Sequence, residues 1–110
     1  MIRETIDKIE RRLEETESMT AENKVELLDL VSALKNDLAD LAETHREQAE
    51  SITGFAETAT REATRQERNP KLLNLLTEGL SVSVEEFEAT HPNLVQTVNS
   101  IAHMLSNIGI

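Results

Sequence analysis

The feature that most constrains the fold of this chain is residues 21–68, a stretch without proline, with one glycine and without a cluster of turn-forming residues. Apolar residues recur along it at the spacing of one helix face. It therefore predicts a single, very long amphipathic helix. At a rise of 1.5 Å per residue, such a helix would be about 70 Å long. The rest of the chain would then have to pack along it.

The two halves of this predicted helix carry different apolar stripes. The first half has a four–three repeat of large aliphatic side chains, at Leu27, Val31, Leu34, Leu38 and Leu41. The second half is rich in alanine. Ala42, Ala49, Ala56 and Ala63 fall seven residues apart, and the alternate positions of the same stripe hold His45, Ile52, Ala59 and Gln66. Because small side chains let two helices approach closely, we interpret this alanine stripe as a tight helix–helix seam. The alternative is a solvated spacer, in which alanine serves only as the best helix former.

A short helix is predicted before the long one, over residues 2–17. Its apolar stripe consists of Ile2, Ile6, Ile9 and Leu13. This is too little to stabilise an isolated helix of that length, so the helix must dock. Thr20 is predicted to cap the long helix, since its hydroxyl can accept a hydrogen bond from a backbone N–H of the first turn. The connection is short, so we expect the two helices to lie antiparallel.

A third helix is predicted over residues 70–89, with Asn69 as N-cap and Pro70 as its first residue. Its main stripe consists of Leu73, Leu76, Leu80, Val84 and Phe87. Three further apolar residues predict that this helix is buried on more than one side, namely Leu72, Leu75 and Val82. Gly79 leaves open a break between residues 79 and 84.

A fourth helix is predicted over residues 91–108. Thr90 is its expected N-cap, and Pro92 lies in the first turn, where proline loses no helical hydrogen bond. Its stripe consists of Leu94, Val98, Ile101, Leu105 and Ile108. Gly109 is the expected left-handed residue after the helix, followed by the apolar Ile110.

Composition and charge exclude several functional classes. The chain has 21 acidic and 11 basic residues and a formal net charge of −10, which disfavours binding to nucleic acid and to anionic lipid. It has no cysteine, so disulfides and thiolate metal sites are ruled out. No run of apolar residues is long enough to cross a membrane, and the first residues do not read as a signal peptide. We therefore expect a cytoplasmic protein without integral membrane association.

The spacing of Glu88 and His91 is the one candidate for a metal site. A Glu-x-x-His pair occurs in di-iron carboxylate bundles, which need two such pairs and further glutamates on facing helices. A dimer could double the set, with Glu85 as an additional ligand. However, Pro92 starts a new helix directly after His91 and turns its side chain away. A structural helix corner is therefore the preferred interpretation, and no metal is expected.

Catalysis is not expected from this sequence. The chain has three histidines and two aromatic residues, and it contains neither a glycine-rich phosphate loop nor a Ser–His–Asp order. His45 lies on the alanine stripe, where it either sets the register of paired helices or faces solvent. His103 lies beside the apolar stripe of the last helix and is expected at the surface.

The C-terminal part of the chain resembles a known family. Residues 87–94, with the sequence FEATHPNL, are followed by an apolar helix and a terminal IGI. This resembles the FE-x-S/T-HP-x-L motif and the closing GI of a family of small bacterial helical proteins, the domain-of-unknown-function family 4404. The two N-terminal helices are similar too, whereas the Ala/Thr-rich residues 43–67 are longer than expected for the family. The resemblance implies a helical fold and brings no activity.

Together these expectations give an all-α fold, an antiparallel helical hairpin or coiled-coil bundle formed by residues 1–110 as a single domain. The shorter helices cannot cover every side of a helix about 70 Å long. We therefore expect a second subunit to complete the bundle, most simply as an antiparallel two-fold dimer. The expected interface consists of Ala42, Ala49, Ile52, Ala56, Ala59, Ala63, Leu73, Leu76 and Leu80.

The expected function is that of a non-catalytic structural or protein-interaction module without a cofactor, which binds itself and an unidentified protein partner. Two alternatives stay open. A bundle that binds a metal or small ligand would use Glu88 and His91. A peripheral membrane helix would use the Ala/Thr-rich half, although its acidic polar face and few bulky apolar residues are unusual for such helices.

Overall fold

The computed structural model describes residues 1–108, which form five α-helices and one short 3₁₀ turn. In chain order these are α1 (Ile2–Glu15), α2 (Ala21–Thr44), α3 (Arg46–Ala63), α4 (Pro70–Val82), the 3₁₀ turn (Glu85–Phe87) and α5 (Pro92–Ile108). The all-α class is confirmed, and the described part of the chain contains no strand. The predictions for Gly109 and Ile110 fall outside it.

The prediction of one long helix over residues 21–68 is wrong, because the chain turns at His45 and forms α2 and α3 instead. His45 leaves the helical region, with φ −135° and ψ 59°. Hydrogen bonds continue on both sides of the corner: the His45 N–H donates to the Leu41 carbonyl at 2.7 Å, and the Ala49 N–H donates to the His45 carbonyl at 3.0 Å. Thr44 and His45 have modest helix propensity, so ending a helix there costs little free energy. Because the chain turns there, α3 can pack against α1, α2 and α4.

The turn at His45 changes the shape of the molecule. Its Cα radius of gyration is 12.9 Å and its extents are 37 × 24 × 22 Å, so a helix about 70 Å long has no place in it. About 13 Å is the radius expected for a globular domain of this size. A single chain therefore closes its own core, and the expectation that a second subunit completes the bundle has no support in this architecture.

The core is built from the apolar stripes that the sequence predicts. Every stripe residue from Leu27 to Leu41 on α2 is buried, as are Ile6, Ile9 and Leu13 on α1 and Leu94, Val98, Ile101 and Leu105 on α5. Only the outermost members, Ile2 and Ile108, are partly buried. In this core α5 packs against α2 and α4, while α1 packs against α2 and α3.

Two of the three predicted helix caps are confirmed. The Thr20 hydroxyl accepts from the Asn23 N–H at 3.1 Å, and the Asn69 side chain accepts from the Leu72 N–H at 3.1 Å. The cap predicted for Thr90 is wrong, because α5 begins at Pro92 and His91 is the residue before it. The Thr90 hydroxyl bonds to the ring of His91 instead.

The other helices are shorter in the structure than predicted from the sequence. The third helix was predicted to reach residue 89, but α4 ends at Val82, at the break that Gly79 left open. Past that point the Ser83 hydroxyl donates to the Leu80 carbonyl at 2.6 Å, and the Val84 N–H donates to the Ser81 carbonyl three residues back. Such tight, local bonds compete with helix continuation. Likewise, α1 ends at Glu15, before the predicted residue 17, and α3 ends at Ala63, before the predicted residue 68.

Candidate interaction surface

The residues predicted to form a dimer interface lie mostly inside the chain. In α3, Ala49, Ile52, Ala56, Ala59 and Ala63 are all 0–2% exposed. The alanine stripe is therefore an internal helix–helix seam and not a solvated spacer. In α4, Leu73 and Leu80 are buried and Leu76 is partly buried. Ala42, near the end of α2, is also partly buried. This arrangement leaves little of the predicted set on the outer surface.

The buried threonines of α3 and α4 form hydrogen bonds inside this core. The Thr60 hydroxyl donates to the Ala56 carbonyl at 2.8 Å, and the Thr53 hydroxyl donates to the Ala49 carbonyl. In α4, Thr77 donates to the Leu73 carbonyl at 3.1 Å and lies 3.3 Å from the Ser106 hydroxyl of α5. Each buried hydroxyl thus has a partner one turn back, which makes its burial acceptable.

The opposite side of α4 carries the most concentrated exposed apolar surface in the described residues. Leu72, Leu75 and Val82 are 37, 59 and 54% exposed. With Gly79 they are spaced three, four and three residues apart, so they share one helix face. Phe55 of α3 is 38% exposed and adjoins this face. We call these four apolar residues, Phe55, Leu72, Leu75 and Val82, the α4 outer face.

Phe55 reaches this face because position 79 has no side chain. A Cβ atom at Gly79 would lie 2.5 Å from Cε1 of the Phe55 ring and 2.9 Å from its Cδ1. The glycine therefore lets the ring lie directly on the backbone of α4. The ring therefore extends the exposed apolar surface of α4 onto α3.

The chain also forms a corner of two histidines around one phenyl ring. The Phe87 ring meets His45 edge-on at 5.4 Å and His91 edge-on at 5.5 Å between centroids. Each histidine directly precedes a helix, and in each the Nδ1 atom bonds to the hydroxyl of the preceding threonine, at 2.8 Å for Thr44 and 2.9 Å for Thr90. The two junctions thus share one local structure, which fixes both rings on Phe87.

This corner has no geometry for a metal ion. Within residues 1–108, no group of three or more histidine, aspartate or glutamate side chains is arranged to hold one. Glu88 is exposed, and His91 engages Phe87 and Thr90. The metal hypothesis for Glu88 and His91 therefore gains no geometrical support from the fold.

Electrostatics near the corner are set by acidic residues of α2. Burial raises the pKa of Asp37, and the neighbouring charge of Asp40 raises it further, while His91 opposes the shift. Two carboxylates one helical turn apart repel each other, which disfavours the charged form of Asp37. Asp37 and Asp40 give this end of α2 a negative potential.

Glu62 is the most buried acidic residue and organises the connection between α3 and α4. It is 3% exposed, and its carboxylate accepts from the Asn69 backbone N–H at 2.7 Å and from Arg65 at 2.8 Å. The bond from Asn69 is the main cause that holds the pKa of Glu62 below its usual value, with Arg65 adding to it. Arg68 donates to the Ala63 carbonyl at 2.7 Å and closes the end of α3.

A second charged contact joins α1 to α2. The Lys35 ammonium lies 2.9 Å from Asp7 and 3.0 Å from Glu10. The hydrogen bond from Lys35 is the main cause of a lowered pKa at Asp7, and the bonds to Asp7 and Glu10 raise the pKa of Lys35. The network is partly exposed, so it orients the two helices more than it stabilises them.

Sequence reasoning missed two of these features. It assigned Leu73, Leu76 and Leu80 to the interface, whereas Leu72, Leu75 and Val82 predicted a helix buried on more than one side. That prediction is wrong, because these three side chains are 37, 59 and 54% exposed. The signal for the outer face was the three–four–three spacing of Leu72, Leu75, Gly79 and Val82. Glu62 carried no such signal, because its partners are a backbone N–H and an arginine beyond the end of α3.

The comparisons with known proteins locate the chain within one family. A sequence model described as Domain of unknown function (DUF4404) matches residues 27–110, which is more than half of the chain. The match begins inside α2, so α1 lies outside it. No curated protein and no solved structure matches the chain. No helix in the described residues has both the length and the apolar character that crossing a membrane requires.

Proposed function

The chain belongs to the DUF4404 family, and from its geometry we propose that it is a non-catalytic interaction module that self-associates through the α4 outer face. The observation that carries the proposal is the exposure of Leu75 and Val82, at 59 and 54%. Only two charged residues lie in α4, Lys71 and Glu78. An exposed apolar surface with few charges is typical of the centre of a protein interface.

The pattern of the outer face suits a second copy of the same chain. The spacing of residues 72, 75, 79 and 82 reads the same in both directions. In an antiparallel pair, Leu72 therefore lies opposite Val82 of the other copy, and Leu75 lies opposite the Gly79–Phe55 contact. A two-fold axis needs this kind of self-complementary patch. The proposal keeps the antiparallel dimer but moves it from the alanine stripe to the outer face of α4.

The size of the face sets the strength of the association. The thirteen residues of α4 span about 20 Å, so the interface is smaller than that of a permanent dimer. Small interfaces typically belong to weak or transient complexes. We expect a dimer that forms at micromolar to tens of micromolar concentration and dissociates on dilution.

The test is sedimentation velocity over a concentration series with two matched variants. Leu75→Glu places a charge in the α4 outer face, and Val25→Glu places one on α2, where Val25 is 60% exposed. Both positions are exposed, so both variants should fold, with circular dichroism and melting temperature near those of the wild type at low concentration. We expect the wild type and Val25→Glu to dimerise and Leu75→Glu to stay monomeric.

A wild type that is monomeric up to hundreds of micromolar would overturn self-association. Equal weakening by both variants would overturn the assignment to α4, since net charge would then explain the effect. Binding to a different protein is measured separately, with the wild type and Leu75→Glu as paired baits. A partner that both baits retain would not use the α4 outer face.

A further inference from the structure

A groove between the start of α1 and the second half of α2 has the composition of a ligand site. It encloses about 370 Å³, in the lower part of the range for small-molecule pockets. Its floor is apolar and includes Ile2, Ile6, Leu38 and Ala42. Ile6 and Leu38 are fully buried below it, whereas Ile2 and Ala42 are partly buried. The groove shares no residue with the α4 outer face.

The rim of this groove is positively charged in an otherwise acidic protein. Arg3, Lys35 and Arg46 line it, and no aspartate or glutamate does, although acidic residues outnumber basic ones by 21 to 11 in the chain. Lys35 is already paired with Asp7 and Glu10. The positive charge offered to a ligand therefore comes chiefly from the two arginines.

Neither arginine is favourably placed in the dipole of its own helix. Arg3 lies in the first turn of α1, and Arg46 is the first residue of α3. The helix dipole favours acidic residues at these positions and disfavours basic ones. The one ion pair of Arg46 in the described residues, with Glu50, is 4.0 Å long and largely exposed, so it contributes little. Arg3 also lowers the pKa of Asp7, four residues on, through its charge. The helix dipoles thus do not account for two arginines at this rim.

We propose that this groove binds a single-chain amphiphile with a carboxylate headgroup, with the chain on the floor of Ile2, Ile6 and Leu38 and the headgroup between Arg3 and Arg46. Arginine binds carboxylates through paired N–H donors, which gives direction as well as charge. The side-chain amide of Asn36, which also lines the groove, supplies a neutral donor beside them. The volume of the groove suits a chain of medium length.

The binding test is isothermal titration calorimetry with sodium decanoate below its micelle concentration. The protein is the Leu75→Glu variant, so that neither self-association nor the α4 outer face contributes. Decanol and decyltrimethylammonium are the matched neutral and cationic probes. We expect saturable one-to-one binding of decanoate, weaker binding of decanol and none of the cationic probe.

Three variants locate the site. Arg3→Glu and Arg46→Glu should each weaken decanoate binding roughly tenfold or more, since each removes a charged hydrogen-bond donor. Ala39→Phe fills the groove from an exposed position that lines it and should block binding without a change of charge. Arg11→Glu, at an exposed position of α1 outside the groove, changes the net charge equally and should leave binding unchanged.

Stability measurements separate loss of binding from loss of fold. Arg3→Glu and Arg46→Glu place an acid at a helix start, which the helix dipole favours, but each also replaces an attraction to Asp7 or Glu50 by a repulsion. These two small effects oppose each other, so the melting temperature should stay near that of the wild type. Equal binding of the cationic probe, equal weakening by Arg11→Glu, or undiminished binding in Ala39→Phe would each overturn the proposal. Absence of saturable decanoate binding would overturn it as well, and none of these results bears on dimerisation.

Discussion

The methyl group of Ala56 is buried in the alanine seam of α3. Ala56 is 2% exposed in α3, which packs against α1 and α4. Replacing it with leucine should lower the free energy of unfolding by about 1–3 kcal/mol, because overpacking displaces neighbouring side chains and backbone. Ala21→Leu, at an exposed position of α2, is the matched control and should be nearly neutral. Urea unfolding of both variants measures the difference, and equal stability would mean that the seam is loosely packed.

Gly79 and Phe55 should behave as a coupled pair. Glycine in a helix interior is about 1 kcal/mol less favourable than alanine, so Gly79→Ala should stabilise α4 if nothing opposed it. In the wild type the new methyl would lie 2.5 Å from the Phe55 ring and displace it.

We therefore expect Gly79→Ala to stabilise the protein by about 1 kcal/mol in a Phe55→Ala background and by less, or not at all, in the wild type. A double-mutant cycle from urea unfolding measures the coupling. Additive effects would show that the ring does not depend on the glycine.

Glu62 should make stability depend on pH in the acidic range. The bonds from Asn69 and Arg65 lower its pKa in the folded state, so its contribution is present above the usual value of 4.5 and is lost as pH falls through the lowered pKa. Glu62→Gln cannot ionise. It should melt several degrees lower than the wild type at neutral pH, and the gap should narrow as the solution is acidified.

Glu43→Gln is the control for this prediction, since Glu43 is exposed on α2. Its melting temperature should follow that of the wild type at every pH. A gap between Glu62→Gln and the wild type that is independent of pH would show that packing, and not charge, accounts for the effect of Glu62.

At the scale of elements, the corner between α2 and α3 tests whether local propensity or packing determines where a helix ends. The double variant Thr44→Ala/His45→Ala raises helix propensity at the corner and removes the edge contact of His45 with Phe87. We expect the corner to persist with a loss of about 0.5–1.5 kcal/mol, the usual worth of an aromatic contact.

Small-angle X-ray scattering distinguishes the two outcomes for the corner variant. A profile that superimposes on that of the wild type means that the seam of α3 with α1 and α4 holds the turn. A particle with a long axis approaching 70 Å, the length of one continuous helix, would mean that Thr44 and His45 themselves break it.

The elements also differ in how far local sequence defines them. The starts of α2 and α4 were predictable because Thr20 and Asn69 bond to N–H groups within their own first turns. The start of α5 was not, since the Thr90 hydroxyl turns to the His91 ring, whose position depends on Phe87. A cap is readable from sequence only when no tertiary contact competes for the capping side chain.

At the scale of the whole molecule, the net charge of −10 should make the compact state sensitive to salt. Repulsion among 21 acidic residues opposes folding, and salt screens it over a length of about 8 Å at physiological ionic strength. The melting temperature should therefore rise from low salt to about 0.15 M. Calorimetry measures it, and a fall would mean that pairs such as Lys35 with Asp7 outweigh the repulsion.

The amino-acid sequence was enough to predict the helical class, the faces of α1, α2 and α5 that enter the core, two helix caps and the family. These follow from the period of apolar residues and from bonds within one turn. Only the tertiary structure decided that residues 21–68 turn at His45, that the alanine stripe lies inside one chain and that the outer side of α4 stays exposed. Each depends on which surfaces α3 can bury against α1 and α4. The free energy gained by this long-range burial outweighs the small differences in helix propensity at positions 44 and 45.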